Sequence, residues 1–373
     1  MAISSLVGCG KHYDVKLVVY NWADYIYDGT DDDGNVTDKS VVKRFEEYYQ
    51  EKTGKSIKVS YRTFGTPEIM YTQIKQGSIK PDLICPSDYM IQKMANEDML
   101  EELSYNESTK KFGESLSNWD QYGSPFIKER FVNEKLNNGK SFLSYSVPYF
   151  WGTMGFTYDP EYNAKLTAIF NRCDDATLSK VEAALIEAKK STVNSFEVDE
   201  GKDDIVKGKY HANLAWSGDA IYAMDSAEAG KPSKQLNYSL PEEGSNVWFD
   251  GWCMPKGAQK DVAEEFVNFI STPEIAKLNM EYVGYTSPIV GDEIWDYVLD
   301  TYEADDEVET TYEIDLSFYF GKEAIIEIDT EEAGRQFDAQ YPTEDVLKKC
   351  CMMNDFGAQT EKVNEMWMKV KMA

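Results

Sequence analysis

The sequence predicts an α/β protein of two lobes. Apolar runs of strand length alternate with helical spacings through the first hundred residues. The length, 373 residues, fits two domains of ordinary size. No low-complexity linker divides them, so the chain is expected to cross between lobes more than once, as a hinge does.

Lys16-Leu-Val-Val-Tyr20 is short and apolar, the first strand. An Asp-rich turn, 28–38, leads to Val41, Val42, Phe45, Tyr48 and Tyr49, whose spacing predicts a helix that stops at Gly54. Residues 57–61 form the second strand, and Thr66 caps a helix with Pro67 in its first position and Glu68 in its first turn. Residues 82–85 form the third strand, followed by a helix from about Tyr89 to Asn96. Such alternation requires crossover connections and therefore parallel pairing. Residues 148–158 (PYFWGTMGFTY) read as a strand entering the second lobe. Leu178, Val181, Leu185 and Ala188 define a helix capped by Asp174 or Asp175. A strand over 212–217 leads into a helix from Gly218, and 247–254 is again extended. Val262, Phe266, Val267 and Ile270 share a helix face, and Pro273 opens the next helix. The acidic stretch Asp292 to Asp338 carries no assignable pattern, and two helices close the chain, near Val346 and from Phe356 to Met372.

The composition narrows the partners. Against 66 acidic residues stand 38 basic ones, a formal charge of −28. Such a surface repels phosphate, so nucleic acid is excluded as a partner, whereas a cationic ligand suits it. No run approaches the roughly 18 apolar residues of a spanning helix. The six cysteines and two histidines form no C-x-x-C or Cys/His cluster, so neither a zinc site nor a disulfide framework is expected. The vicinal Cys350-Cys351 is expected to be buried or to lie idle on a helix. Motifs for nucleophilic serine, zinc protease, P-loop and dinucleotide chemistry are all missing.

In an open parallel sheet, ligands sit beyond the carboxyl ends of the strands. Five segments place an aromatic, often with a carboxylate, where such a fold puts its cleft: Asn21-Trp22-Ala23-Asp24-Tyr25, Pro86-Ser87-Asp88-Tyr89 and Trp216-Ser217-Gly218-Asp219 after strands, Trp248-Phe249-Asp250 in the later extended run, and Gly284-Tyr285 in the turn after the helix at Pro273. Flat aromatic faces cover methylenes and attract a cation, while carboxylates accept its hydrogen bonds, which together suit an alkyl ammonium. A pair of carboxylates in a cleft is equally the equipment of a hydrolase, and that alternative stays open here.

In register, the motifs NWADY, PSDYM, PYFWGTMGF, LAWSGDA, VWFDGWCMP and GYTSP resemble those of the spermidine/putrescine-binding proteins of bacterial ABC importers. The resemblance implies a type II periplasmic-binding-protein fold with a hinge and an interlobe cleft. Lobe 1 would comprise 13–146 and 250–289, and lobe 2 would comprise 147–249 and 290–373. It implies a polyamine ligand, permease subunits as partners, a monomer, no cofactor and no reaction. Another small amine or organic ion on the same scaffold is the nearer alternative. Carried over by position, the aromatic box is Trp22, Tyr25, Tyr89, Trp216, Trp248 and Tyr285. Asp250 would meet an ammonium, Asp24 stands where the family often has a longer acid, Ser87 offers a hydroxyl, and Met353 replaces a glutamine. Between Pro160 and Leu166 the chain lacks a strand-and-helix stretch that carries two further acids in the family, so lobe 2 is expected to be incomplete. Finally, Leu6-Val7-Gly8-Cys9 resembles a lipobox, which implies lipidation of Cys9 and a lipid-anchored protein outside the cytoplasmic membrane.

Overall fold

The computed structural model describes residues 12–31, 34–158, 173–191, 193, 195–196, 200–242, 244–305 and 307–373. The lipobox cysteine Cys9 and the stretch from Pro160 to Leu166 lie outside the described residues.

The first sheet holds three parallel strands in the order β2-β1-β3: β1 (Val15–Asn21), β2 (Ile57–Thr63) and β3 (Leu83–Ile84). Leu17 and Val19 point into the core, as alternation in a half-buried strand requires. The predicted crossovers form. Helix Val41–Thr53 takes its cap from Ser40 and ends on Gly54 in the left-handed region at φ 72°. Helix Pro67–Lys75 starts with Thr66 Oγ1 accepting from Ile69 N at 3.3 Å. Helix Asp88–Asn96 follows β3 directly. Both crossover helices thereby begin at the carboxyl end of the sheet.

A second, antiparallel sheet is built on one long strand, β4 (Val147–Tyr158). The outer half of β4 pairs with β5 (Ala212–Trp216) and β6 (Asn237–Ser239), and its first half pairs with β7 (Val247–Trp252). β7 also touches the first sheet, through bridges Ile84↔Cys253 and Ser87↔Asp250. β7 therefore links the two sheets, with β4 paired along it. Buried apolar side chains form two clusters. The larger runs from Leu17 to Trp151 and again from Val247 to Met352. The smaller lies around helix Ser217–Ala229, with Ile205, Met224, Leu236, Tyr238 and Ala339.

The acidic stretch folds where no pattern was assignable. It forms helix Asp292–Tyr302 and a hairpin of β8 (Thr311–Asp315) and β9 (Ile325–Asp329). In β9, Ile326 and Ile328 are buried while Ile325 and Glu327 are exposed, so the period of two is present but masked by surrounding acids. Tyr319, between the two strands, accepts a hydrogen bond from Trp151 Nε1 at 2.8 Å and donates to Ser287 O. This stretch thus docks on the large core.

Other expectations need correction. The third strand and the C-terminal helix are shorter than predicted, the latter spanning Thr360–Met372 after a single tight turn over 357–359. Cys350 and Cys351 lie past the end of helix Glu344–Leu347. There Cys351 runs alongside Asn246, accepting from Val247 N at 3.0 Å and fixing the start of β7. Helices Ser117–Tyr122 and Pro125–Asn133 occupy a region left unassigned above. No helix among the described residues is long and apolar enough to cross a membrane.

Candidate functional site

The carboxyl ends of β1, β2 and β3 carry Trp22 to Tyr25, Phe64 and Ser87 to Tyr89 to one edge, and β7 brings Trp248 and Asp250 against it. Tyr285 follows helix Pro273–Val283, which ends on Gly284 in the left-handed region at φ 80°.

Asp250 is the centre. It is 6% exposed, and its Oδ2 accepts from the Tyr25 hydroxyl at 2.7 Å. Its Oδ1 is buried without a hydrogen-bond partner among the described residues. Burial pushes the Asp250 carboxyl up to about 6, and hydroxyls of Tyr25 and Ser87 only partly oppose this. The charged form is therefore short of one strong donor, which an ammonium would supply.

Aromatic rings cluster around Tyr25, the hydrogen-bond partner of this carboxylate. The Tyr25 ring lies 5.1 Å from Phe150, 5.8 Å from Tyr149 and 5.9 Å from Tyr285, centroid to centroid. Trp248 meets Tyr285 edge-on at 5.0 Å and 86°. Two glycines make this packing possible. A Cβ on Gly152 would collide with the Trp248 indole and Ser217, and one on Gly218 would enter the Tyr285 ring. The rings are in contact with one another, so a ligand has to part them to reach Trp248.

Of the nine cleft residues expected, Tyr25, Ser87, Trp248, Asp250 and Tyr285 come together. Tyr89 joins them from helix Asp88–Asn96: its hydroxyl donates to Glu68 Oε1 at 2.8 Å, and its phenol feels Asp250 as well. Trp22 packs instead on Phe64 at 4.9 Å, with its buried indole N–H unpartnered among the described residues. Asp24 is exposed in a turn at φ 51°, a conformation Asp tolerates better than most residues. Trp216 stands at the rim, 37% exposed, directly before helix Ser217–Ala229. Met353, at the position of the expected glutamine, contributes its backbone: its carbonyl accepts from Gln92 Nε2 at 3.1 Å and braces helix Asp88–Asn96.

Two acids were missed. Asp88 is 1% exposed, with Oδ1 accepting from Tyr89 N at 2.7 Å and Oδ2 buried without a partner among the described residues. Burial holds its carboxyl well above the usual range, and the Asp250 charge adds to this. Arg130 is close enough to oppose the effect but gives one guanidinium nitrogen to Cys350 O at 2.9 Å. The second is Glu68. Asp88 was visible in the motif PSDYM, beside the site serine, whereas Glu68 looked like any first-turn acid.

Residues 199–293 match the family model described as bacterial extracellular solute-binding protein. The chain is 26% identical to the spermidine/putrescine-binding periplasmic protein of Escherichia coli K12, over 73% of this chain and 77% of that protein. It is 24% identical to the putrescine-binding periplasmic protein SpuD of Pseudomonas aeruginosa, over 98% of this chain and 95% of that one. Among solved structures it is similar to the spermidine/putrescine ABC transporter substrate-binding protein PotD of Streptococcus pneumoniae. There the TM-score is 0.62 at 26% identity, over 96% of this chain and 98% of that one. The TpPotD lipoprotein of Treponema pallidum shares the fold at 18% identity and a TM-score of 0.64, over 96% and 100%.

The fold and these likenesses define a periplasmic or extracellular solute-binding protein, a class that carries solute rather than catalysing a reaction. Within that class, the resemblance to the spermidine/putrescine-binding proteins, first carried by six motifs, holds along almost the whole chain.

Proposed function

We propose that this chain is the substrate-binding subunit of an ABC importer and captures a polyamine of the spermidine/putrescine type between its two lobes. The observation that carries the reading is the buried Oδ1 of Asp250, unpartnered among the described residues, whose other oxygen is held by Tyr25, a ring packed on Tyr285 and through it on Trp248. An ammonium there would pair with the carboxylate, and the rings would cover the methylenes. Relatives support the same ligand class: the names of the E. coli and P. aeruginosa proteins specify spermidine or putrescine.

Lobe closure around the ligand would remove water and strengthen that pairing. Trp22, Asp24, Ser87, Tyr89 and Trp216 complete the proposed cleft, Trp22 and Trp216 as walls that swing in on closure. The proposed lobes are 13–146 with 250–289 and 147–249 with 290–373, hinged along β4 and β7, of which β7 bridges to the first sheet. Permease subunits are the proposed partners, the protein works as a monomer, and Cys9 carries its lipid anchor.

Native mass spectrometry and calorimetry test the reading. The protein should run at monomer mass, release a co-purified amine on denaturation, and bind putrescine or spermidine with a change in tryptophan fluorescence. A protein that binds neither amine would refute it. Membrane fractionation in the host, comparing Cys9→Ala with the parent, tests the anchor.

A further inference from the structure

The edge that carries Asp250 also carries a second carboxylate. Helix Pro67–Lys75 begins directly beyond β2, so its first turn stands at the ligand-binding end of the sheet. Glu68 lies in that turn, exposed, with Oε1 on the Tyr89 hydroxyl at 2.8 Å. The half-buried Tyr89 stands two residues beyond Ser87, whose backbone bridges Asp250, and its phenol feels the charges of both Glu68 and Asp250.

Asp250 has one bare oxygen, since Tyr25 occupies the other. It can receive one ammonium, and a diamine brings two. Asp24 is exposed as well, but its charge acts on Tyr61 and Tyr282, whereas Tyr89 feels Glu68, Asp250 and Asp88. Glu68 instead holds Tyr89, on the segment that bridges Asp250 through Ser87, and that ring could cover the intervening methylenes. Resting on the polyamine reading, we infer that Glu68 receives the outer ammonium, with Tyr89 spacing it from Asp250, so that the site selects a molecule charged at both ends over a monoamine. The ordinary role of such a residue, a first-turn acid that favours the helix dipole and ties two helices together, predicts no preference between amines.

Fluorescence titration and calorimetry with putrescine and 1-butylamine separate the two roles, using the full chain and the variants Glu68→Gln, Glu68→Asp and Asp250→Asn. Glu68→Gln should weaken putrescine about tenfold, the lower end for a charge-assisted hydrogen bond at an exposed position. Butylamine should change less than about twofold, the size of an ordinary surface substitution. Glu68→Asp should recover part of the loss, and Asp250→Asn should weaken both amines. Unchanged putrescine affinity in Glu68→Gln would overturn the inference. So would an equal loss for both amines, which marks a packing role. A wild-type protein that binds neither amine fails the polyamine reading itself, and the inference falls with it.

Discussion

Asp250→Asn should make the empty protein more stable and the binding protein worse. The Asp250 carboxyl is raised by burial from 3.8 to about 6, a little over two pH units, or about 3 kcal/mol at 1.36 kcal/mol per unit. The residue is 6% exposed, so solvent screening hardly discounts this figure. Between pH 3.8 and 6 the folded chain keeps a proton that the unfolded chain has lost. Stability therefore falls as pH rises through this window, and the full penalty is present above about pH 6. Asparagine removes the ionisation yet keeps an acceptor for the Tyr25 hydroxyl. Denaturant titrations at pH 7.5 should find Asp250→Asn more stable than wild type by on the order of 2–3 kcal/mol, with the gap closing below about pH 4. Putrescine affinity should fall at least about thirtyfold, since the ammonium loses a desolvated charged partner. In wild type, the same affinity should weaken as pH drops below about 6, because binding must then release a proton. A variant no more stable than wild type at pH 7.5, or a gap that persists in acid, would refute the reasoning.

Other outcomes follow from the same geometry. Asp88→Asn should also stabilise the empty protein at neutral pH, because burial and Asp250 oppose its ionisation; thermal melts at pH 5 and 7.5 check this. Gly218→Ala should force the Tyr285 ring off its seat, lowering stability by about 1–3 kcal/mol and ligand affinity in parallel; melts and calorimetry measure both. Tyr319→Phe should cost about 1–3 kcal/mol, since the buried Trp151 N–H and Ser287 carbonyl lose a partner together. A denaturant midpoint unchanged in that variant would show that water replaces the hydroxyl.

The first sheet and its helices were legible because each of those elements carries a local signal. Gly54 is the only kind of residue that adopts φ 72° without strain, and Thr66-Pro67 starts a helix by chemistry confined to two residues. The site was half legible. Strand ends name Trp22, Tyr25 and Asp250, but which of them meet depends on how β7 docks on β3, a contact between residues more than 160 positions apart. Trp22 packs on Phe64, which follows the neighbouring strand β2, a pairing that the strand-end pattern does not specify. The acidic stretch failed for a different cause. Its hairpin buries Ile314, Ile326 and Ile328 between acids that face water, and the mean polarity hides a correct period of two.

The same contrast explains why the site had to be unfavourable in the empty protein. A carboxylate left in water would have its ordinary affinity for protons and little for an ammonium, since solvent screens the pair. Burying it raises the worth of the pairing, but the cost falls on the unliganded fold, where Asp250 has one oxygen bare and Asp88 beside it has another. The chain can bear this because the core beneath is large and aromatic: Trp119, Trp151, Trp252 and Tyr319 are each nearly or fully buried. Each large side chain of this kind contributes on the order of 3 kcal/mol or more when buried. One such contact offsets roughly what the Asp250 environment removes. In the proposed complex, ligand binding would recover the difference, because an ammonium on Oδ1 would bring the carboxyl back toward its ordinary ionisation. The expected instability of the empty protein and the proposed selectivity for a cation would then be one quantity seen from two states, and Asp250→Asn should abolish both together.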